Sequence, residues 1–273
     1  MLSKVECKLI KGDIVCFITN NNDIHAIGLL GVLAAGGVYC SLPRHTTQTE
    51  ISSNMMTIKP TILIGNSDNF TLLTKMGQQF DCIKTILLLN EFCANKLHIK
   101  SQSIERALEL IRDNDIELPV MSGLSDMATL VMSSGSSGTP KAIIRTNRNL
   151  LAIVAITQHP EICPLRADDI MLSTGFNHMC GQRSLFSSLT SGAQLVVWGD
   201  DHSNEAIFDG IHDMNVTNIF TVPTELNFLI KNQHKYNKTY LKTLRDVFCG
   251  GAFLSQHIYQ QIYLEIIMTV AKM

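Results

Sequence analysis

The stretch of sequence that decides the fold is Met132-Ser133-Ser134-Gly135-Ser136-Ser137-Gly138-Thr139-Pro140-Lys141. It follows an apolar run, residues 127–131, and precedes another apolar piece, residues 142–144. This order predicts a buried strand that ends in a loop. Glycines let backbone amides approach a ligand, and successive N–H groups in such a turn form an anion-binding concavity. With its serine hydroxyls and the charge of Lys141, the loop predicts a phosphate site. A plain surface turn is the alternative for a serine-glycine loop taken alone.

The whole string, Ser-Ser-Gly-Ser-Ser-Gly-x-Pro-Lys, resembles the signature loop of the adenylate-forming (AMP-dependent synthetase and ligase) superfamily. That superfamily includes acyl-CoA synthetases, 4-coumarate-CoA ligases and firefly-type luciferases. The chain departs from the family pattern at Ala142, where relatives usually carry glycine. A P-loop kinase or GTPase is a distant alternative, because the Walker A motif ends in Gly-Lys-Ser/Thr and here proline precedes the lysine.

Composition describes a soluble globular protein, with 45% apolar and 17% charged residues among 273. The formal charge of −2, without a polybasic block, gives no general attraction to nucleic acid or to an anionic membrane surface. The longest apolar stretch, residues 27–39, is too short to span a bilayer, so no transmembrane segment is expected. Oligomeric state cannot be read from the sequence.

The cysteine pattern and the last three residues give indications of where in the cell the protein is located. The eight cysteines are scattered without a Cys-x-x-Cys pair, which argues against zinc and favours reduced thiols in the cytoplasm. The terminal Ala271-Lys272-Met273 resembles a loose form of the peroxisomal address, and a peroxisomal location is the alternative. We expect this tripeptide to close a helix.

Strands alternate with helices along the chain, which predicts an α/β protein with a mostly parallel sheet. The expected strands are 13–19, 38–42, 61–64, 83–89, 127–131, 169–173, 193–198, 218–222 and 244–249. The expected helices are 20–35, 47–58, 69–79, 103–112, 149–158, 204–214 and 224–232. Residues 119–125 read as a linker between a first α/β subdomain, 1–122, and a second one, 123–273, that bears the phosphate loop.

Residues 11–15 and 28–39 resemble the opening strand–helix–strand of the same family. The resemblance implies stacked, mostly parallel sheets with flanking helices, forming part of the family's large N-terminal domain. Without the family, the glycines of residues 28–39 indicate only close packing of a helix on a sheet.

The resemblance also assigns roles to the loop. It implies that the nucleotide phosphates are bound by the side chains and amides of Ser133, Ser134, Gly135, Ser136, Ser137, Gly138 and Lys141. Three hydroxyls, those of Ser133, Ser136 and Ser137, would donate to the β- and γ-phosphates. Gly135 and Gly138 would permit the approach, and Lys141 would supply the positive charge.

His178 is the second candidate catalytic residue. The segment Phe176-Asn177-His178 with its His-x-x-Gly spacing resembles the family's Phe-His-x-x-Gly, whose histidine lies beside the acyl group and the phosphate. Gly175 replaces the family's preceding proline, and Asn177 separates the phenylalanine from the histidine. A structural histidine at a strand end is the alternative. Cys180 has no visible base, and buried packing is the safer interpretation of its thiol.

Gly250, Gly251 and Ala252 form the third element of the expected site. In relatives the corresponding Ser-Gly-Gly-Ala turn lies against adenine and ribose, whereas the turn alone indicates only a helix entry. Arg145 and Arg148 could reach phosphate, but a solvated charge at a helix start is the favoured interpretation for both.

The function that the resemblance implies is activation of a carboxylic acid. The carboxylate, of a fatty or aryl acid, attacks Mg²⁺-bound ATP to give an acyl-adenylate and pyrophosphate, and the thiol of coenzyme A then displaces AMP. The family's magnesium glutamate, in a Gly-Tyr-Gly-x-Thr-Glu segment, and its C-terminal lid with a catalytic lysine have no match in the 273 residues. We therefore expect a fragment that is inactive by itself, and a non-catalytic remnant that binds nucleotide or acyl group is the alternative function.

Overall fold

The computed structural model describes residues 9–89, 100–103, 123–133, 140–159, 165–199, 203–237, 239–263 and 269–272. For 100–103 and 269–272 only the backbone is considered. The chain forms two compact units, Met1–Leu150 and Leu151–Met273. Each unit is described by itself below.

The first unit is built on a seven-stranded sheet within the described residues. Its elements are β1 (Ile14–Ile18), α1 (Asp23–Ala34), β2 (Val38–Ser41), α2 (Gln48–Ile58), β3 (Ile62–Gly65), α3 (Phe70–Gln79), β4 (Thr85–Leu88), β5 (Lys100–Ser103), β6 (Met127–Ser133) and β7 (Lys141–Thr146). A 3₁₀ turn, Ser67–Asn69, precedes α3. The strand order is β5-β4-β3-β1-β2-β6-β7. All neighbours pair in parallel except β7, which runs antiparallel to β6.

Local sequence signals set the helix bounds in this unit. The side chain of Asn22 accepts a hydrogen bond from the amide of His25 and caps α1. Gly36, with φ of 76°, turns the chain from α1 towards β2, a conformation that glycine adopts at little cost. Thr47 and Glu50 form a reciprocal capping box at the start of α2.

Packing of helices on strands β1–β4 and β6 buries the first hydrophobic core. Its strand side chains come from alternate positions and meet apolar side chains of α2 and α3. The members are Cys16, Ile18, Val38, Cys40, Leu42, Ile51, Met55, Ile58, Leu63, Leu73, Met76, Ile83, Ile86, Leu88 and Leu130.

Helix α4 (Asn147–Thr157) contains the division between the units, and the second unit then follows with a five-stranded sheet among its described residues. Its elements are β8 (Ile170–Ser173), α5 (Met179–Ser191), β9 (Gln194–Val197), α6 (Asn204–Asp213), β10 (Asn218–Thr221), α7 (Pro223–Lys231), β11 (Asp246–Cys249), α8 (Gln256–Gln261) and β12 (Thr269–Lys272). The strands are parallel in the order β12-β11-β10-β8-β9.

The second sheet is covered on two faces. On one face, strand residues such as Leu172, Ile219 and Val247 pack with apolar side chains of α6 and α7. On the other face a smaller cluster contains Phe220 and Phe248, whose ring centroids lie 4.9 Å apart. Because successive strand residues point to opposite faces, strands β8 to β11 each contribute to both clusters.

The predicted α/β class and most of the predicted elements agree with the structure. Helix α5 was not expected, because its buried face carries serines and a glutamine in place of a clear apolar stripe. The helix expected over 103–112 lies outside the described residues from 104 onward. The helix expected to close at Ala271-Lys272-Met273 is wrong for the described part, since residues 269–272 form strand β12 beside β11.

The division into units also differs from the expected boundary at 122/123. The structure places the division at 150/151 because β6 and β7 complete the sheet of the first unit. The hairpin that bears the serine-glycine loop therefore belongs to the first unit, and the His178 and Gly250–Ala252 segments belong to the second.

Candidate functional site

The serine-glycine loop connects the two strands of an antiparallel hairpin. Ser133 ends β6 and pairs directly with Lys141 at the start of β7, and the hydroxyl of Ser133 donates to the carbonyl of Lys141 at 3.4 Å. Residues 134–139 lie outside the described part of the chain, so Ser134, Gly135, Ser136, Ser137 and Gly138 keep their predicted roles as expectations. The structure places the stems of the loop, with Ser133 half-buried and Lys141 exposed.

The hairpin has a defined position in the sheet of the first unit. Strand β6 pairs in parallel with β2 through Thr129 and Leu130, so it ends at the same edge as β1, β2 and β3. Ligands of parallel α/β sheets bind at this carboxyl edge. The two stems of the loop therefore lie at the edge where such ligands bind, and Lys141 is exposed there.

Ala142 and Arg145 lie on β7, the strand that follows the loop, and both are at least partly buried. Ala142, at the family's glycine position, is half-buried and packs against the first hydrophobic core, so the extra methyl group is accommodated. Arg145 is only 6% exposed, and burial lowers the pKa of its guanidinium. The expectation of a solvated charge is thus wrong for Arg145, whereas Arg148 is exposed in the first turn of α4 as expected.

His178 is the residue that precedes α5 at the carboxyl edge of the second sheet. Its backbone N–H donates to the carbonyl of Gly175 at 3.0 Å, and its side chain makes no capping hydrogen bond to α5. The imidazole is exposed, yet partial desolvation lowers its pKa. A largely neutral ring is therefore presented at the edge of the sheet.

The glycine in His-x-x-Gly has a steric reason in this structure. A Cβ atom at Gly181 would lie 2.4 Å from the carbonyl oxygen of Gly175 and 2.6 Å from that of Thr174. The loop after β8 can therefore approach α5 only over a glycine. Gln182, fully buried, fixes the same loop by donating from Nε2 to the carbonyl of Phe176 at 3.0 Å. Sequence reasoning missed Gln182, whose position next to the glycine was the available signal.

Gly250 and Gly251 begin the turn that follows β11. The N–H of Gly250 donates to the carbonyl of Thr221 at 3.1 Å, and Gly251 has a φ of 80° that favours glycine. Ala252 is exposed, and Ser255 then caps α8 by accepting from the amide of Ile258 at 3.3 Å. The turn thus serves as a helix entry and also lies at the carboxyl edge of the second sheet, which permits ligand contact.

Glu225 lies at the same edge and was not singled out from the sequence. Its carboxylate accepts from the hydroxyl of Thr221 and from the amide of Val222, which clamps the end of β10 to the start of α7. Val222 has no side-chain acceptor, so this contact is only the glutamate half of a capping box, and the sequence lacks the usual Ser/Thr-x-x-Glu signal. The negative charge of this carboxylate also helps to raise the pKa of the Cys180 and Cys249 thiols.

The two thiols at this edge are poor nucleophiles. Burial raises the pKa of Cys180, and burial together with the nearby Glu225 carboxylate raises that of Cys249 to about 11. The thiolate form is therefore scarce near neutral pH, and the packing interpretation of Cys180 holds.

Within the described ranges no three histidine, cysteine or acidic side chains are arranged to hold a metal ion. Glu225, an acid at the second carboxyl edge, accepts hydrogen bonds from Thr221 and Val222. None of the described helices combines the length and apolar character that crossing a bilayer requires.

Comparison with protein families gives a match over nearly the whole chain. A model of the family described as "AMP-binding enzyme" matches residues 5–270. Among curated proteins, a 4-coumarate--CoA ligase-like protein of Arabidopsis thaliana is 30% identical over 50% of this chain and 24% of its own length. A probable CoA ligase of Humulus lupulus is 23% identical over 92% of this chain and 45% of its own length.

Solved structures share the fold. A natural red-emitting luciferase from Phrixothrix hirtus superposes with a TM-score of 0.80 at 18% identity, covering 94% of this chain and 49% of the luciferase chain. ATP-bound MatB from Rhodopseudomonas palustris gives a TM-score of 0.76 at 16% identity, over 95% of this chain and 48% of the MatB chain. The chain thus spans less than half the length of these relatives.

Proposed function

Because the chain belongs to the AMP-binding enzyme family, we propose that it binds ATP and a carboxylic acid for formation of an acyl-adenylate. The observation that carries this proposal is the family match over residues 5–270, which includes the hairpin with its serine-glycine loop and Lys141. Transfer of the acyl group to the thiol of coenzyme A, with a fatty or aryl acid as substrate, is the finer form of the proposal.

The first chemical step requires the loop to stabilise negative charge on the phosphate oxygens. The acid's carboxylate oxygen bonds to the α-phosphorus of ATP, the bond to the bridging oxygen breaks, and pyrophosphate leaves with the electron pair. Negative charge on the phosphate oxygens needs fixed donors and a cation. The ammonium of Lys141 is suited to this role, and the hydroxyl of Ser133 would take it by exchanging its long hydrogen bond to the Lys141 carbonyl for one to phosphate.

We propose that residues of the second unit help to bind the acid and the nucleoside. His178 presents a largely neutral imidazole at the carboxyl edge, where it would border the acyl group without attracting a proton from solvent. Gly250, Gly251 and Ala252 lie at the same edge, and an exposed turn with little side-chain bulk suits close contact with the nucleoside.

Binding without turnover is the second candidate function. It is favoured by the extent of the likeness, since alignments over 50% and 92% of this chain cover only 24% and 45% of the two plant ligases. In this case the chain binds nucleotide or acid, and the adenylation step needs groups from the remainder of such an enzyme.

The decisive experiment measures binding and chemistry separately. Equilibrium dialysis with labelled ATP should give saturable binding that weakens about tenfold or more in Lys141→Ala, because removal of one charge-assisted contact typically costs that much. Lys75→Ala is the matched control, since Lys75 is an exposed lysine on α3 of the same unit. Equal affinity of the wild type and Lys141→Ala would contradict the assigned role of the loop.

Pyrophosphate exchange then separates the two candidates. Incorporation of labelled pyrophosphate into ATP, dependent on added fatty or aryl acid and lost in Lys141→Ala, would support adenylation. Saturable ATP binding with exchange no higher than in Lys141→Ala would support binding alone. If the wild type bound neither ATP nor acid, both candidates would fail.

A further inference from the structure

Helix α1 is apolar on its exposed side as well as on its buried side. From Ile24 to Ala34 it carries no aspartate, glutamate, lysine or arginine. Such a composition is typical of a helix that is covered all round. One side of α1 is indeed buried, with side chains such as Leu29 and Val32, whereas the opposite side is exposed. A continuous exposed apolar surface indicates a site of protein association.

The exposed strip of α1 consists of Ile24, Ile27, Gly31 and Ala34. Ile24 is 38% exposed and Ile27 is 66% exposed, so both side chains protrude. A Cβ atom added at Gly31 would meet nothing within 4 Å, so the helix surface has a hollow there. Residues three or four positions apart share one side of a helix, and the four therefore form a strip about 15 Å long.

The strip is complementary in shape to a second copy of itself. Suppose that two α1 helices pack antiparallel about a two-fold axis at Leu29. Positions equally far from residue 29 then face each other, so Ile27 faces Gly31 of the second copy and Ile24 faces its Ala34. Each large side chain meets a small one, as close packing of two helices requires. In a two-fold interface every contact occurs twice, so both hollows are filled.

Charge favours a second copy over other occupants of the strip. Helices that lie on a membrane surface carry lysine and arginine beside their apolar face, and α1 has neither. The formal charge of −2 gives the chain no general attraction to anionic lipid. A charged partner would likewise meet no opposite charge on the strip. Two copies of the strip can meet without burying an unpaired charge.

We propose that two copies of this chain associate through the exposed strip of α1, antiparallel about a two-fold axis at Leu29. The contact is short, and interfaces well below the standard size are weak. The dimer therefore forms at high protein concentration, and the chain is monomeric at the low concentrations of a denaturation assay. Association requires no nucleotide, so it stands apart from the proposed function.

Sedimentation equilibrium of the full chain, from about 1 to about 200 µM, measures the association. We expect the average mass of the wild type to rise from monomer towards dimer over this range. Ile27→Asp should weaken the association at least about tenfold, because a carboxylate would be buried at the contact. Met56→Asp is the matched control and should leave it unchanged, since Met56 is 61% exposed on α2 of the same unit.

An exchange of the two central residues tests the two-fold arrangement itself. Gly31→Ile alone fills the hollow and sets two isoleucines against each other, so it should also weaken association about tenfold. Adding Ile27→Gly restores a large side chain opposite a small one, and the double variant should recover the association. Circular dichroism of each variant at low concentration establishes that the fold is retained.

Four results would overturn the proposal. The wild type could stay monomeric at the highest concentration. Association could persist in Ile27→Asp, or fall equally in Met56→Asp, which would place the contact on another surface. A double variant that folds without recovering association would exclude the two-fold arrangement. Binding of the wild type to vesicles of anionic phospholipid, lost in Ile27→Asp and without self-association, would assign the strip to a membrane.

Discussion

Acidification should destabilise the first unit through one buried histidine. His25, on α1, is 2% exposed and its ring stacks on Phe17 at 4.8 Å. Its Nε2 lies 2.8 Å from the hydroxyl of Tyr39, and its Nδ1 lies 3.1 Å from the Thr19 hydroxyl and 3.3 Å from the carbonyl of Asn20. Since a carbonyl only accepts, Nδ1 carries the proton and the Tyr39 hydroxyl donates to Nε2. A second proton on the ring would turn Nε2 into a donor, so the Tyr39 hydroxyl could no longer donate to it, and the charge would be buried.

The size of the effect follows from the pKa. Burial lowers the pKa of His25 from 6.5 to about 4, while the hydrogen bond to the Asn20 carbonyl opposes this shift. Because the folded pKa is the lower one, the unfolded chain binds more protons between these values, so stability is full above pH 6.5 and falls as the pH drops towards 4. At pH 4.5 the expected loss is about 2.5 kcal/mol relative to pH 7.5.

Urea denaturation followed by circular dichroism at pH 7.5 and 4.5 measures this loss. His25→Gln keeps an acceptor for Tyr39 and a donor for the Asn20 carbonyl but does not titrate. Its loss of unfolding free energy between the two pH values should be about 2.5 kcal/mol smaller than that of the wild type. His234→Gln, at an exposed site, controls for the removal of a histidine as such. Equal losses in the wild type and His25→Gln would refute the reasoning.

Two further predictions concern glycines. Gly181→Ala should lower the unfolding free energy by about 2 kcal/mol, because its Cβ would meet a backbone carbonyl at 2.4 Å. Its control, Gly31→Ala, meets nothing within 4 Å on α1 and should raise that free energy by about 0.5–1 kcal/mol in the same denaturation assay. Gly210→Ala should shift tryptophan emission and cost about 1–3 kcal/mol, since its Cβ would lie 2.1 Å from the ring of Trp198; unchanged emission and stability would contradict this packing.

Short-range signals in the sequence predicted much of the fold. The asparagines before α1, Thr47 before α2 and the apolar runs of the strands each specify a local structure, and the structure follows them. The α/β class and the family were therefore accessible from the sequence. The end of the chain was misjudged because residues 269–272 form a strand by pairing with β11, and periodicity cannot reveal a partner distant in sequence.

The candidate site was predictable in part. The stems Ser133 and Lys141 lie on paired strands as a strand–loop–strand pattern implies. Arg145 was misjudged because its strand position buries it, although its neighbours suggested a helix start. Glu225 and Gln182 act through hydrogen bonds to backbone groups of other segments, and such partners emerge only from the tertiary structure.

The pairing of Ser133 with Lys141 has a consequence for how the loop can vary. The hairpin holds the residues that flank 134–140 at neighbouring backbone positions. The pairing of β6 with β7 therefore offsets the entropic cost of closing this segment. We therefore expect substitutions within 134–139 to leave strand register and global stability largely unaffected. Ligand preference in this segment can consequently diverge between related proteins without a matching change in the scaffold.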